Sequence, residues 1–101
     1  TLKTDFLDQK IFVFTPKGDV IELPPGATPI DFAYSIHSAI GDHIFAAKVN
    51  GKISSLDKPL HDSDIIEIIT KKNSMPSRKW LEYAKTNFAK KRIRASLEKK
   101  K

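Results

Sequence analysis

Residues 14–41 read FTPKGDVIELPPGATPIDFAYSIHSAIG, and they describe a hairpin that delivers the chain into one well-specified helix. Phe14 closes a β-branched and aromatic run from Ile11, Pro16-Lys17-Gly18-Asp19 supplies turn chemistry, and Val20 to Leu23 is the returning strand. Pro24-Pro25-Gly26 stops that strand. Thr28 then stands where a helix cap belongs, Pro29 suits the first helical position, and Asp31 occupies the partner position of a capping box. Gly41 suits a left-handed helix end. At about 100° per residue, Ala33, Ile36 and Ile40 fall on one side, with Phe32 and Ala39 at one edge and Ile30 at the other. Asp31, Ser35 and Ser38 are expected to face away, and Tyr34 and His37 to share the flank beside Ile30.

Further strands follow this helix. Ile44 to Val49 is the third strand, Asn50-Gly51 is a strong hairpin signal because both positions tolerate positive φ, and Lys52-Ile53 begins a brief return. Ser54 to Asp64 is polar, with Leu56 and Leu60 as tethers to the core and Asp62-Ser63-Asp64 as a turn. Ile65 to Thr70, rich in isoleucine, is the last strand. Such a sheet needs one face covered, and the helix ending at Gly41 is the amphipathic element available to cover it. The expected class is α+β: a mixed β-grasp (ubiquitin-like) sheet around one helix, followed by a basic helical extension. The expected divisions are a lead-in at 1–10, the β-grasp domain at 11–71 and the extension at 72–101. Within the extension, Ser77 is expected to cap a helix carrying Trp80, Leu81, Ala84 and Phe88, and Thr86 to start a segment carrying Ala89, Ile93 and Leu97.

At 101 residues the chain has room for one small domain and not for a large enzyme. It contains no cysteine, so no disulfide or thiol nucleophile is available, and His37, His43 and His61 lack close metal-ligand spacing. No catalytic constellation, metal site or cofactor motif is read from it. The absence of a long apolar run or signal pattern favours no membrane partner and a cytoplasmic protein, and the start at Thr1 suggests a piece of a longer chain. Charge is divided unevenly. Residues 1–70 hold six lysines against ten carboxylates, a net of −4, whereas residues 71–101 hold twelve cations against two glutamates, a net of +10. That basic segment points to a polyanion, or else to a solvated helix face or an interface with a neighbouring domain.

His37 carries the sharpest functional reading: an imidazole on the helix flank can stack on a nucleobase or bond a phosphate or 2′-hydroxyl. A half-buried histidine bonded to a backbone carbonyl is the alternative, and spacing alone favours it. Tyr34 reads as an aromatic at the core edge. Lys17, Lys48 and Lys52 can reach a phosphate backbone, although scattered lysines are ordinary. His43 and His61 read as loop residues. Trp80 and Phe88 interleave with Arg78, Lys79, Lys85, Lys90, Lys91, Arg92 and Arg94 as aromatics do among cations in nucleic-acid binders, while their helical spacing argues that the rings pack inward.

The segments IFVFTPKGDVIELPPGATPIDFAYSIHSAIG, AAKVNGKI and DIIEIIT, with Pro-Ser-x-x-Trp at 76–80, resemble the TGS domain and following helical segment of long RelA/SpoT-type (p)ppGpp synthetase/hydrolases. The resemblance implies a β-grasp regulatory domain rather than an enzyme in itself, within a parent that is a GTP/GDP pyrophosphokinase, a (p)ppGpp pyrophosphohydrolase or both. It implies partners: uncharged tRNA and the ribosome, the parent's catalytic domains, and acyl carrier protein for SpoT-like members. It implies that the histidine at position 37 contacts the CCA end, with Tyr34, Lys17, Lys48, Lys52 and His43 as further tRNA contacts. A free terminal ribose would fit against the domain, where an esterified amino acid would collide. The other reading is a protein-interaction or autoinhibitory module. After the helix this chain departs from the family pattern of a basic residue, then Cys, then Gly: His43, Ile44 and Ala46 stand there instead, which weakens any phosphate contact from that loop.

Overall fold

The computed structural model describes residues 9–99. Most of the lead-in and the last two lysines lie outside the described residues. β1 (Ile11–Phe14) and β2 (Val20–Leu23) form the expected antiparallel hairpin, Phe14 opposite Val20. Its turn is closed by the Gly18 N–H donating to the Thr15 carbonyl at 2.9 Å, with Gly18 at φ 96°. β3 (Ile44–Val49) is the centre of a second sheet between β4 (Lys52–Ser54) and β5 (Ile66–Thr70), both antiparallel to it. Asn50 and Gly51 turn β3 into β4 with φ of 54° and 87°.

The two sheets join through one parallel bridge, Phe14 to Ile65. That junction is held by Asp62-Ser63-Asp64: the Phe14 N–H donates to the Asp64 carbonyl (2.8 Å), the Ser63 N–H to the Phe12 carbonyl (2.7 Å), and the Phe12 N–H to the Asp62 carboxylate (2.8 Å). Asn50 locks the same corner, its Nδ2 donating to Asp64 and its Oδ1 accepting from the Ile65 N–H. The two aspartates are therefore turn formers. The result is the β-grasp order β2-β1-β5-β3-β4.

The central helix is covered on two sides, and it is not continuous. α1 (Pro29–Ile36) ends at His37, whose extended backbone (φ −168°, ψ 141°) separates it from α2 (Ser38–Asp42). Phe32 packs with Val13, Leu23, Leu60 and Ile66 against the sheet. Ile30, Ala33 and Tyr34 instead meet Trp80 of α3 (Lys79–Tyr83), Ala84 at its end, and Ala89 and Ile93 of α4 (Asn87–Lys99). Burying one such large apolar side chain is worth about 1.5–3 kcal/mol, so the extension shares the core with the domain.

Two expectations change because of this packing. Asp31, read as facing away, is 1% exposed, because the α3–α4 junction covers that face. Its carboxylate accepts from the Thr28 N–H (2.9 Å), closing one half of the capping box, and from the Lys85 N–H (2.9 Å), the Thr86 N–H (2.9 Å) and the Thr86 hydroxyl (3.0 Å). Thr28 completes the clasp by donating its hydroxyl to the Tyr83 carbonyl at 3.1 Å. Phe88, expected to pack inward, is 54% exposed. Ala84 is extended (ψ 140°), so α4 restarts at Asn87 with Phe88 rotated out of the stripe begun by Trp80. Thr86 does accept from the Ala89 N–H (3.2 Å), as a cap of α4, whereas Ser77 offers only its carbonyl, to the Trp80 N–H.

Tyr34 is a core residue at 2% exposure, its hydroxyl donating to Asp42 at 2.8 Å. Gly41 makes room for it, since a Cβ there would lie 2.4 Å from the tyrosine ring. Burial pushes the phenol pKa up, the Asp42 hydrogen bond and charge push it further, and the Arg92 charge opposes them.

Replacing Asp31 by Ala leaves the buried Thr28 N–H and the partly buried Lys85 and Thr86 N–H groups without their acceptor, a buried one costing about 1–3 kcal/mol, and urea denaturation is expected to show a loss of about 3 kcal/mol. Tyr34→Phe tests the phenol. Because its pKa is higher folded than unfolded, its contribution is present below the ordinary tyrosine value of about 10 and is lost as pH rises above it. Denaturation at about pH 9 and about pH 11 should therefore show a smaller alkaline loss for Tyr34→Phe than for the parent sequence.

Candidate nucleic-acid interface

The helix break sets the geometry of the histidine. With α1 ending at Ile36, His37 becomes both its last cap and the first cap of α2: its N–H donates to the Ala33 carbonyl (3.2 Å), and its Nδ1 accepts from the Ala39 N–H (3.0 Å). A ring nitrogen that accepts carries no proton, so the neutral imidazole is held as the Nε2–H tautomer. The side chain is exposed. Of the two arrangements expected from spacing, the half-buried histidine bonded to a backbone carbonyl is not formed: the ring is exposed at the break and bonded to a backbone N–H, which leaves its other nitrogen as a donor.

Beside it lies an apolar groove of about 460 Å³. Its floor is Phe32, Ile66 and Ile68, its helical wall is Ile36 and Ile40 from either side of His37, and its opposite wall is the β1–β2 turn from Thr15 to Lys17. Ile36, placed by spacing on the same side as Ala33, is 37% exposed and lines this groove. Asp19 and Glu67 also border the groove and disfavour phosphate there. A second cleft of about 310 Å³ shares Ile40 and Thr70 with the first and is lined by Ala39, His43, Lys71 and Lys72. An apolar slot with a cationic cleft next to it suits a base or ribose in the first and its phosphate in the second.

The other site residues divide by position. Lys17 is exposed on the groove wall. Tyr34 is withdrawn from the surface set, because its ring is buried and its hydroxyl is committed to Asp42. His43 is half-buried and ties the linker down, its Nδ1 donating to the Ser74 carbonyl at 2.9 Å, which leaves only its other edge toward the cationic cleft. Lys48 and Lys52 are not brought to the groove; Lys48 stands opposite Ile53 and Glu67, and Lys52 opposite Val49. Arg78, Lys79, Lys85, Lys91, Arg92 and Arg94 are exposed and Lys90 half-buried on the extension. Phe45 was not singled out by the sequence reading. It is 51% exposed beside a register shift in β3, with the Lys71 ammonium 3.8 Å from its ring centre, and the alternation Ile44-Phe45 was the signal for its outward face.

Among the described residues no group of three or more His, Cys, Asp or Glu could hold a metal ion, and no helix is long and apolar enough to cross a membrane.

Comparison with known proteins agrees with this architecture. The TGS domain family matches residues 11–70. A GTP pyrophosphokinase of Myxococcus xanthus is 48% identical over 98 residues, 97% of this chain and 13% of that protein. A guanosine-3′,5′-bis(diphosphate) 3′-pyrophosphohydrolase of Aquifex aeolicus is 46% identical over 97% of this chain and 14% of its own length. The bifunctional (p)ppGpp synthase/hydrolase RelA of Mycobacterium tuberculosis is 45% identical, covering 93% and 13% respectively. The chain thus spans about 13% of the length of these relatives. A crystal structure of a GTP binding protein from Pyrococcus horikoshii shares the fold, with a TM-score of 0.60 at 21% identity over 69% of this chain and 24% of that one. Hairpin, clasped helix and isoleucine-rich last strand, matched by a family signature across residues 11–70, show that this chain belongs to the TGS domain family, in the form found in RelA/SpoT-type (p)ppGpp synthetases and hydrolases.

Proposed function

We propose that this segment is the non-catalytic regulatory domain of a cytoplasmic stringent-response enzyme, one that synthesises or hydrolyses (p)ppGpp, and that it senses the CCA end of uncharged tRNA on the ribosome. The names of the relatives, all far longer than this chain, support the parent's activity. The observation that carries the sensing role is His37: an exposed imidazole with its tautomer fixed by the Ala39 N–H, flanked by two groove-lining isoleucines. Its outward Nε2–H is a donor for a ribose hydroxyl or phosphate oxygen, and the adjoining apolar slot accepts a base face. Discrimination is by space. A terminal ribose seated between Lys17 and the helix break leaves no room for an esterified amino acid, and occupancy is relayed to the catalytic domains of the parent.

A second reading rests on the outer face of the sheet. Phe12 (45%), Val20 (55%), Ile53 (65%) and Ile65 (47%) are exposed there, an apolar surface of the kind that packs against another domain. The occupant it suits is the remainder of the parent chain, which in the relatives is several times longer than this segment, and the two readings are compatible as input and output faces. Acyl carrier protein, being acidic, is better matched to the basic extension.

The test compares one tRNA in uncharged, aminoacylated and CCA-truncated forms on ribosomes. The uncharged form should bind best. His37→Ala should reduce that preference about tenfold, the loss of one hydrogen bond plus partial stacking, or about 1.4 kcal/mol. Equal binding of all three forms by the unaltered protein refutes the sensing role.

A further inference from the structure

The pair Asn50-Gly51 turns β3 into β4, and it also carries a chemistry of its own. The backbone nitrogen that follows an asparagine can attack the side-chain carboxamide carbon, and a glycine there leaves that nitrogen least hindered. Asparagine stands at positions 50, 73 and 87, followed by Gly51, Ser74 and Phe88, so Asn50 has the most reactive neighbour. It is exposed at the tip of the turn, with φ 54°.

The fold opposes this reaction. To meet the Gly51 nitrogen the carboxamide must rotate, yet both of its ends are held at the sheet junction: Nδ2 donates to Asp64 Oδ1 (2.9 Å) and Oδ1 accepts from the Ile65 N–H (3.0 Å). Asp64 is fixed in turn, its other oxygen accepting from the His61 N–H at 2.8 Å. A carboxylate is a stronger acceptor than a neutral group, so this hold exceeds that of an ordinary turn.

We propose that Asn50 is a deamidation site kept silent by Asp64 and Ile65, and that its modification unfastens the two sheets from each other. In the reaction the Gly51 nitrogen gives up its proton to hydroxide and bonds to Asn50 Cγ, the bond from Cγ to Nδ2 breaks, and ammonia leaves behind a five-membered succinimide. Water then opens the ring at either carbonyl, giving aspartate or isoaspartate. Water is the co-reactant, and nothing is oxidised or reduced.

Both products damage the corner. Aspartate sets a second carboxylate where Nδ2 had donated to Asp64, which replaces a hydrogen bond by like-charge repulsion. Isoaspartate routes the main chain through the former side-chain carbon. The group that held Asp64 and Ile65 is then part of the backbone, and the bond from the Asn50 N–H to the Ile65 carbonyl (2.8 Å) loses its register. Ile65 bridges Phe14, and the Phe14 N–H bonds the Asp64 carbonyl, so the β1–β2 hairpin loses its hold beside β5. The apolar groove lies between that hairpin and β5, and one of its walls is released.

The experiment ages the whole chain in mildly alkaline buffer, folded and in urea, and follows each asparagine by peptide mass mapping. Isoaspartate is identified by methyl transfer from labelled S-adenosylmethionine with an isoaspartyl methyltransferase. In urea Asn50 should be modified faster than Asn73 and Asn87. In the folded chain it should be slowed at least tenfold, because reaction then passes through the open fraction of the corner. Asp64→Ala should recover about tenfold in rate by removing the acceptor of Nδ2. Asp64→Asn keeps an acceptor oxygen and the turn, and should give an intermediate rate. Asp31→Ala weakens the core away from the corner and should leave the rate unchanged, which separates local opening from global unfolding. The purified isoaspartate form should exchange its Phe14 and Ile65 amides about tenfold faster while those in the middle of α1 keep their protection. Equal rates at Asn50 in the folded chain and in urea, equal acceleration by Asp31→Ala and Asp64→Ala, or unchanged exchange at Phe14 and Ile65 after modification would overturn the inference. None of these results depends on what the groove binds.

Discussion

The carboxylate of Asp31 is the point on which the structure depends. It lies in the first turn of α1, where a helix start favours negative charge, and it accepts hydrogen bonds from residues on both sides of a long loop of chain. Each oxygen accepts from backbone N–H groups that the packing wholly or partly withdraws from water. One side chain therefore starts the central helix, sets the end of α3 and fixes the start of α4. With Thr28 bonded to the Tyr83 carbonyl, the helical extension is fastened to the domain at the same place where the domain's own helix begins.

This fastening explains why α1 has no solvent face along its first six residues, Pro29 to Tyr34, all of which are buried. The sheet takes Phe32, and the extension takes Ile30, Ala33 and Tyr34. The helix opens to solvent only where both layers end, at Ser35 to His37, and there the backbone breaks. The histidine is thus displayed by a rigid support: Tyr34 behind it is locked to Asp42, and Gly41 is the residue whose missing side chain permits that contact. A surface held on such a support costs little ordering if a ligand binds there.

Much of this was legible in the sequence because the signals are local. The strand-turn-strand pattern from Ile11, the Thr28-Pro29 helix start, Asn50-Gly51 and the Asp62-Ser63-Asp64 turn each depend on neighbours within a few residues. The role of Asp31 was hidden because its other donors are 54 and 55 residues away, and an acid next to a cap reads as exposed by default. The break at His37 was hidden for a different reason. No Gly or Pro marks it, and the imidazole itself supplies the cap that makes the break tolerable. Phe88 followed the wrong phase because the helical wheel was carried past a second interruption, the extended residue Ala84, whereas Ile36 precedes the break at His37 and is exposed where the covering layers end. The cationic residues of the extension were visible by composition.

The central claim is that domain and extension form one cooperative body, clasped at Asp31. Native-state hydrogen exchange on the whole chain addresses it directly. The account predicts that the amides of Lys85 and Thr86 and those in the middle of α4 exchange with the same opening free energy as those in the middle of α1, which is the signature of a single unfolding unit. If α4 and the two clasped amides exchange freely while α1 and β3 remain protected, the extension is an appendage, and the account of how the groove and the basic helix are held together is wrong.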